Sequence, residues 1–410
     1  MRITLFYVVL LLYSTSVLAE DEKSYKFDSQ GISRSVLENY LSRAITLTEL
    51  LEKADLANDG AFPGKEDDLR LIRNIGAKFI GRAIYRWGRE DMLNNPEFLG
   101  EAKRIVHKIH ETDPDVVLQA ALFEIVTTKV NEIRVPAWVF EAYEIVPEDR
   151  SFRYEDMLNT DGKFVDHWRK ECSVPDISRT ETQLWFLFLA GVYMDIGCEA
   201  FHLGQVNLMG MNDPGWKHWK KTVDLIRKLA RDKSRRDWIL LDAHTPSGGM
   251  VVDETSLLDF NSFPLRIKET IDKPQKCILE VGYLDGLYGR SLGCVTPSGW
   301  RCDSLPYLVE FDNFGITRSP GQATVNSHFV WGYDEISWFH LQSEEYRKEW
   351  LKYAHRWLRD QDPNGFLQMP VGRIVITDRG QRSRFRANTR SESMPQGQNL
   401  EETIMELFHQ

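Results

Sequence analysis

Residues 181–206, ETQLWFLFLAGVYMDIGCEAFHLGQV, and 217–244, KHWKKTVDLIRKLARDKSRRDWILLDAH, decide the fold. Each begins with a helical stretch, Glu181–Ile196 or Lys217–Arg231. Each then turns into a short apolar run with a polar tip, Ala200–Val206 or Trp238–His244. Helices alternating with buried strands imply a parallel sheet, because a parallel crossover packs its helix onto the sheet face. The same unit recurs on both sides. Upstream, Asp68–Ile75 leads to Lys78–Tyr85, and Glu101–Glu111 leads to Val116–Glu124, before a long insertion over about 127–179. Downstream come Ser256–Phe260, Leu308–Asp312, Phe329–Glu335 and, after helix Glu344–Arg359, Gly365–Met369; a helix over Leu400–Phe408 closes the chain. Eight such runs predict an α/β fold, a closed (β/α)8 TIM barrel; an open doubly wound sheet is the alternative. Neither Gly-x-Gly-x-x-Gly nor a Walker A loop is present, so no nucleotide cofactor is expected.

Composition narrows the class. Hydrophobic residues make up 42% of the 410, enough for a large core, which excludes a disordered chain. Lys and Arg number 51 against 61 Asp and Glu, a net charge of −10 that argues against a nucleic-acid partner. The first nineteen residues, MRITLFYVVLLLYSTSVLA, read as a signal peptide: Arg2, an apolar core over Ile3–Leu12, and small or permissive residues at Val17–Ala19. The apolar run is short for a membrane span and is broken by Ser14, Thr15 and Ser16. A secreted or periplasmic protein, free of the membrane after cleavage, is therefore expected. Residues 20–68 read as an N-terminal helical extension, with helices near Ser33–Ser42 and Thr46–Ala57, and 69–410 as the barrel. Of five cysteines, Cys294 and Cys302 flank a turn-rich loop that a disulfide would clamp. No short-spaced Cys or His pairs form a Zn motif, and no metal is expected.

In such a barrel the active site lies at the C-terminal strand ends. Polar residues gather there. Glu124 ends the second predicted strand, and His202 and Gln205 lie on the third. Asp242 and His244 share one face of the fourth, since strand side chains repeat every two residues. Asp259 ends the fifth, Glu310 and Asp312 share a face of the sixth, Asp334 and Glu335 end the seventh, and Arg373 follows the eighth. A single strand-end Asp is commonly a helix cap or turn residue. Acidic tips on five strands repel one another, and folding alone would not select them.

Converging carboxylates serve glycoside hydrolysis, with one protonated as acid and one ionised as nucleophile or base. They also serve metal-assisted hydrolysis, for which Asp242, His244 and His202 are the candidates. The metal-free chemistry is favoured, with Glu335 and Glu310 as the pair and Asp242 or Asp312 next. Glu124, His202, Gln205, His244 and Arg373 would position the ligand. A non-catalytic glycan-binding barrel is the other alternative. Aromatics lie beside the acids: Trp87, Trp138, Trp331, Trp338, Phe311, Phe314, Tyr333 and Phe339. Sugar rings offer apolar faces to such side chains, and Trp331 and Trp338 are the candidates for lining a pocket. The basic run Arg379–Asn388 would overhang the mouth and, with Arg384 and Arg386, either recognise an acidic group such as a uronic acid or offset the acidic mouth.

Four stretches together resemble a known group: Ser33–Ala44, Ile75–Ala83, Phe201–Gln205 and Leu258–Arg266. They are similar to secreted bacterial proteins related to TIM-barrel glycoside hydrolases of polysaccharide degraders, over roughly residues 30–408. The resemblance implies a carbohydrate substrate. Familiar barrel hydrolases carry Asn-Glu at the end of strand four and Glu at the end of strand seven. Here the predicted fourth strand ends Asp242-Ala-His244, a departure, while Glu335 is a partial match on the seventh.

Overall fold

The structure is a computed structural model describing residues 23–58, 64–245, 248–270, 273–281, 291–313 and 334–410. The expected signal segment 1–19 lies outside the described residues, as do positions 329–333 of the expected seventh strand. No described helix is long and apolar enough to cross a membrane.

Eight strands run parallel in chain order. They are β1 (Ala44–Leu47), β2 (Phe79–Ile84), β3 (Val117–Ala121), β4 (Ala200–Gln205), β5 (Leu240–His244), β6 (Asn261–Pro264) and β7 (Tyr307–Glu310). The eighth, β8, comprises Gly365–Leu367 and, after Gln368, Met369–Ile376. Its first part pairs with β7 and its second with β1, so the sheet closes on itself through Gln368. The register steps by two residues at β3/β4, β5/β6, β6/β7 and β8/β1, a total stagger of eight. That is the shear of a (β/α)8 barrel. An antiparallel strand, β9 (Arg382–Arg386), extends β8 at the rim.

The interior is built in two rings. The lower ring takes one residue from each strand or its approach: Ala44, Phe79, Val117, Ala200, Leu240, Phe260, Leu308 and Phe366. All are buried and apolar, together with helix α1 (Arg34–Leu41), whose Val36, Leu37, Tyr40 and Leu41 seal the bottom. Ser33 caps α1 by accepting from the Val36 amide, and its apolar residues share one helical face. Two residues further along each strand stand Thr46, Gly81, Gln119, His202, Asp242, Ser262, Glu310 and Gln368. The strand period of two points them to the same side. Every member of this upper ring is polar except Gly81, and there a Cβ would lie 1.9 Å from Gln368 Nε2. The glycine makes room for the glutamines that fill the barrel.

Three expectations are corrected. Thr46–Ala57 is not a helix: Ala44-Ile-Thr-Leu47 is fully buried and supplies β1, so the barrel starts at Ala44 rather than after residue 68. Four residues are too few to carry a helical period, and burial between β2 and β8 decides for strand. At Glu335 no strand ends; Asp334 accepts from the Ser337 amide and caps helix α2, Glu335–Leu341. The strand numbering therefore shifts by one: His202 belongs to the fourth strand, Asp242 to the fifth and Glu310 to the seventh. Finally, the sixth strand begins at Asn261, beyond the expected Ser256–Phe260. Cys294 and Cys302 face each other across a short antiparallel ladder as thiols, Sγ to Sγ 4.0 Å.

Candidate active site

Above the upper ring a cavity of about 870 Å³ opens at the C-terminal mouth, within the size range of small-molecule sites. Its floor is a hydrogen-bond network centred on Asp242. Gln119 Nε2 donates to one carboxylate oxygen; the Ser262 hydroxyl and His202 Nδ1, at 2.7 Å, converge on the other. His202 and Asp242 are register partners on adjacent strands, which sets them side by side.

Beside this network lies an ion cluster on Glu310. Arg82 donates to Oε1, Arg373 Nη1 to Oε2 at 3.0 Å, and His244 Nε2 stands 3.1 Å from Oε1. Burial disfavours the ionised carboxyl, but Arg82, then Arg373 and His244, overcome it and hold Glu310 well below the usual carboxylate range. Arg82 reaches inward because β2 is irregular between Ile80 and Ile84, with Arg82 itself at φ 56°. A bulge of this kind re-aims a side chain at a sheet edge or active site. Arg373 also fixes Asn313 Oδ1 at 2.8 Å, tying β8 to the loop after β7.

One wall is aromatic. Tyr85 and Trp87 after β2, Phe123 after β3, and Trp168 of the 127–179 insertion line the cavity. Their rings meet edge to face, Trp87 to Phe123 at 5.4 Å and Trp87 to Trp168 at 5.0 Å. Trp168 Nε1 donates to the Glu124 carbonyl at 2.9 Å. Three carboxyl side chains line the mouth, Glu124, Asp312 and the helix-capping Asp334. Glu124 accepts from the Gln205 amide at 3.0 Å and from its side chain at 2.8 Å. This approach requires glycine at 204, φ 63°, where a Cβ would sit 2.0 Å from Glu124 Oε2. Asp312 accepts from Arg266 Nη1 at 3.2 Å; burial opposes its ionisation, and Arg266 outweighs that to lower the pKa.

The cavity lining thus brings together Glu124, His202, Gln205, His244, Asp312 and Arg373 of the expected residues. Asp242 and Glu310 lie directly behind it, each bonded to residues that line it. Glu335 does not reach it: the carboxyl is buried, accepting from the Ile267 amide at 2.9 Å and the Asp312 amide at 3.0 Å. It stitches the loop after β6 to the loop after β7. Trp338 is corrected to a core residue, packed on Trp350 at 5.1 Å with Nε1 donating to the Gln275 carbonyl. Trp138, Phe311 and Phe339 also pack in or against the core, while Trp331, Phe314 and Tyr333 lie outside the described residues. Arg384 and Arg386 do not overhang the mouth. Arg384, half-buried, pairs with Glu49, and Arg386, buried, pairs with Asp68 at 2.6 Å; only Arg382 of β9 lines the cavity. Among the described residues no three His, Cys, Asp or Glu side chains stand where they could hold a metal ion.

Sequence reading misses Arg82, Phe123, Trp168, Ser262 and Arg266. The signal for the floor is present nonetheless, as an apolar residue followed two places on by a polar one or glycine in all eight strands. Arg82 leaves no such trace, because a bulge rather than strand alternation turns it inward.

No protein-family model matches the chain, and no curated protein matches it. Solved structures give distant likenesses. An α-galactosidase from Thermus thermophilus aligns with TM-score 0.34 and 13% identity over 56% of this chain and 43% of that one. A trehalose-6-phosphate hydrolase from Bacillus licheniformis gives 0.32 and 8% over 57% and 58%. A β-L-arabinopyranosidase from Geobacillus stearothermophilus gives 0.29 and 11% over 55% and 54%. The alignments span about half the length of each of those chains.

Proposed function

We propose that the protein is a glycoside hydrolase whose mouth cavity holds a unit of an oligo- or polysaccharide. The observation that carries this reading is the cavity's lining, which joins an aromatic wall to a set of hydrogen-bonding side chains. Tyr85, Trp87, Phe123 and Trp168 offer flat apolar surface, and Arg82, Arg373, His202, His244, Glu124 and Asp312 offer hydrogen bonds beside it. A sugar joins the same two characters, with C–H faces and a hydroxyl rim. Arg266 and Arg382 favour a unit bearing a carboxylate. The signal-peptide pattern at the N-terminus supports action outside the cytoplasm, where polymeric glycans are met.

The chemistry falls to the carboxylates that reach the ligand. Asp312, kept ionised by Arg266, suits the nucleophile or general base. Glu124 is the second carboxyl facing the cavity and completes the pair. Glu310 organises Arg82, Arg373 and His244, and Glu335 holds the loop that carries Asp312. Screening the purified protein on neutral and acidic plant and algal polysaccharides, then on Asp312→Asn and Glu124→Gln, tests this. Turnover of the active substrate should fall about a hundredfold or more in each variant. Unchanged turnover in both would refute the assignment.

The commitment of Glu310 and Glu335 to internal partners favours a second reading, a glycan-binding barrel without hydrolysis. It predicts saturable sugar binding with no release of reducing ends.

A further inference from the structure

We infer that His202 Nε2 is a built hydrogen-bond acceptor for a hydroxyl of the ligand, set at the cavity floor by Asp242. The inference rests on the carbohydrate reading and adds which group the floor recognises.

The argument begins with the tautomer. Asp242 accepts from Gln119 Nε2 and from the Ser262 hydroxyl, and the same Oδ2 that takes the Ser262 bond lies 2.7 Å from His202 Nδ1. A carboxylate gathering donors calls for a third donor at that position, so the ring proton sits on Nδ1. In the neutral ring, Nε2 then carries a lone pair. Burial favours this neutral form, lowering the His202 pKa against the pull of Asp242, with Arg82 and His244 nearby also disfavouring a second proton.

That lone pair has no protein donor. His202 is 2% exposed, Nε2 is buried, and among the described residues no donor group reaches it. The neighbours at the ring's edges are rings themselves, Phe123 at 6.0 Å and His244 at 4.9 Å, both edge to face. His244 directs its own Nε2 to Glu310. His202 nevertheless lines the cavity, whereas Asp242 does not. Most buried acceptors are satisfied in native structures, and an unpartnered one on a cavity-lining residue points to a donor from the ligand.

The chemistry of the donor follows. A lone pair repels carboxylate and phosphate oxygens and accepts from O–H. The floor therefore takes a neutral hydroxyl, and any acidic group of the ligand belongs at the rim, near Arg266 and Arg382. Asp242 is a positioning residue: it acts on the ligand only through the ring it orients.

The test is nitrogen NMR of the whole protein with ¹⁵N-labelled histidine, the His202 signals assigned by their loss in His202→Gln. The free protein should show Nδ1 protonated and Nε2 bare at about pH 8, above the ordinary imidazole range. Titration with D-galactose, D-glucose or D-galacturonate is followed in parallel by tryptophan fluorescence, which Trp87 and Trp168 supply. The Nε2 signal should move along the same saturation curve. His202→Gln should weaken binding roughly tenfold or more. Asp242→Asn should shift the tautomer toward Nε2–H and lose binding with it, which a merely structural role for Asp242 would not produce. A proton on Nε2 in the free protein would overturn the inference. So would a sugar that saturates the fluorescence and leaves Nε2 unmoved, and that result would spare the carbohydrate reading. Failure of every sugar to bind would remove the carbohydrate reading and this inference together.

Discussion

The two rings inside the barrel share one backbone and have opposite chemistry. Leu308 and Glu310 stand two residues apart on β7, both buried, pointing the same way. The lower ring is held by burial of apolar area, worth about 1.5–3 kcal/mol for each large side chain, and α1 keeps water from it. The upper ring gains no such term. Its groups must be paired with one another, and each pairing restricts geometry more than it stabilises. A barrel needs only the first kind of ring to fold. The second kind is explained by what sits above it.

The largest effect expected from breaking this comparison is at Glu310. Glu310→Ala leaves Arg82 and Arg373 buried without their common carboxylate, and should cost about 4 kcal/mol by urea unfolding. The double variant Glu310→Leu/Arg82→Met should recover part of that loss, since it removes charge from both sides. If the double variant loses as much as the two single changes summed, charge is not what the ring depends on. Leu308→Ala, one pleat below, should cost about 3 kcal/mol through the cavity it leaves. The stabilities of the two single variants are thus close, but their function should part. Leu308→Ala keeps sugar binding at temperatures where it is folded, whereas Glu310→Ala frees Arg82, Arg373 and His244 and loses it. Equal loss of binding in both would make the rings one unit.

The lower ring is the part of this molecule most readable from sequence. Phe79, Val117, Ala200, Leu240 and Leu308 fall in short apolar runs between helices, and the barrel follows from their recurrence. Ala44 is hidden because β1 has four residues and no helix clearly announces it. The count of eight is reached from sequence only because the run at 329–335 stands in for β1. The strand-tip acids Asp242, Glu310 and Asp312 are legible, as is the cavity position of His202, Gln205, His244 and Arg373. Their partners are not. Which cation meets Glu310 depends on a bulge at Arg82, and the aromatic wall depends on an insertion returning Trp168 to the mouth. Both are long-range facts with no local period. Glu335 shows the converse case. It lies in an acid-and-aromatic stretch that reads as catalytic, but Asp334 caps a helix there and turns the carboxyl inward.

That inward carboxyl gives the smallest and most pH-dependent effect. Burial pushes the Glu335 pKa up to about 8, against Arg266, while Asp312 adds to the rise. A folded pKa above the unfolded one means stability is fully present below the unfolded value near 4.5 and is lost as pH rises through about 8. Glu310 has the reverse sign: its folded pKa is depressed, so its contribution is present above the unfolded value and is lost as pH falls through the folded one. Glu335→Gln separates them. Gln offers one oxygen where Glu335 serves two amides, Ile267 and Asp312, so at pH 5 the variant should be less stable by about 1 kcal/mol. Between pH 5 and 8 the wild type loses its advantage while the neutral Gln does not, and the gap should close or reverse. A gap that stays constant over that range would mean Glu335 is ionised throughout. Asp312 would then sit beside a second negative charge, and the mouth would be more acidic than the buried, proton-bearing Glu335 makes it.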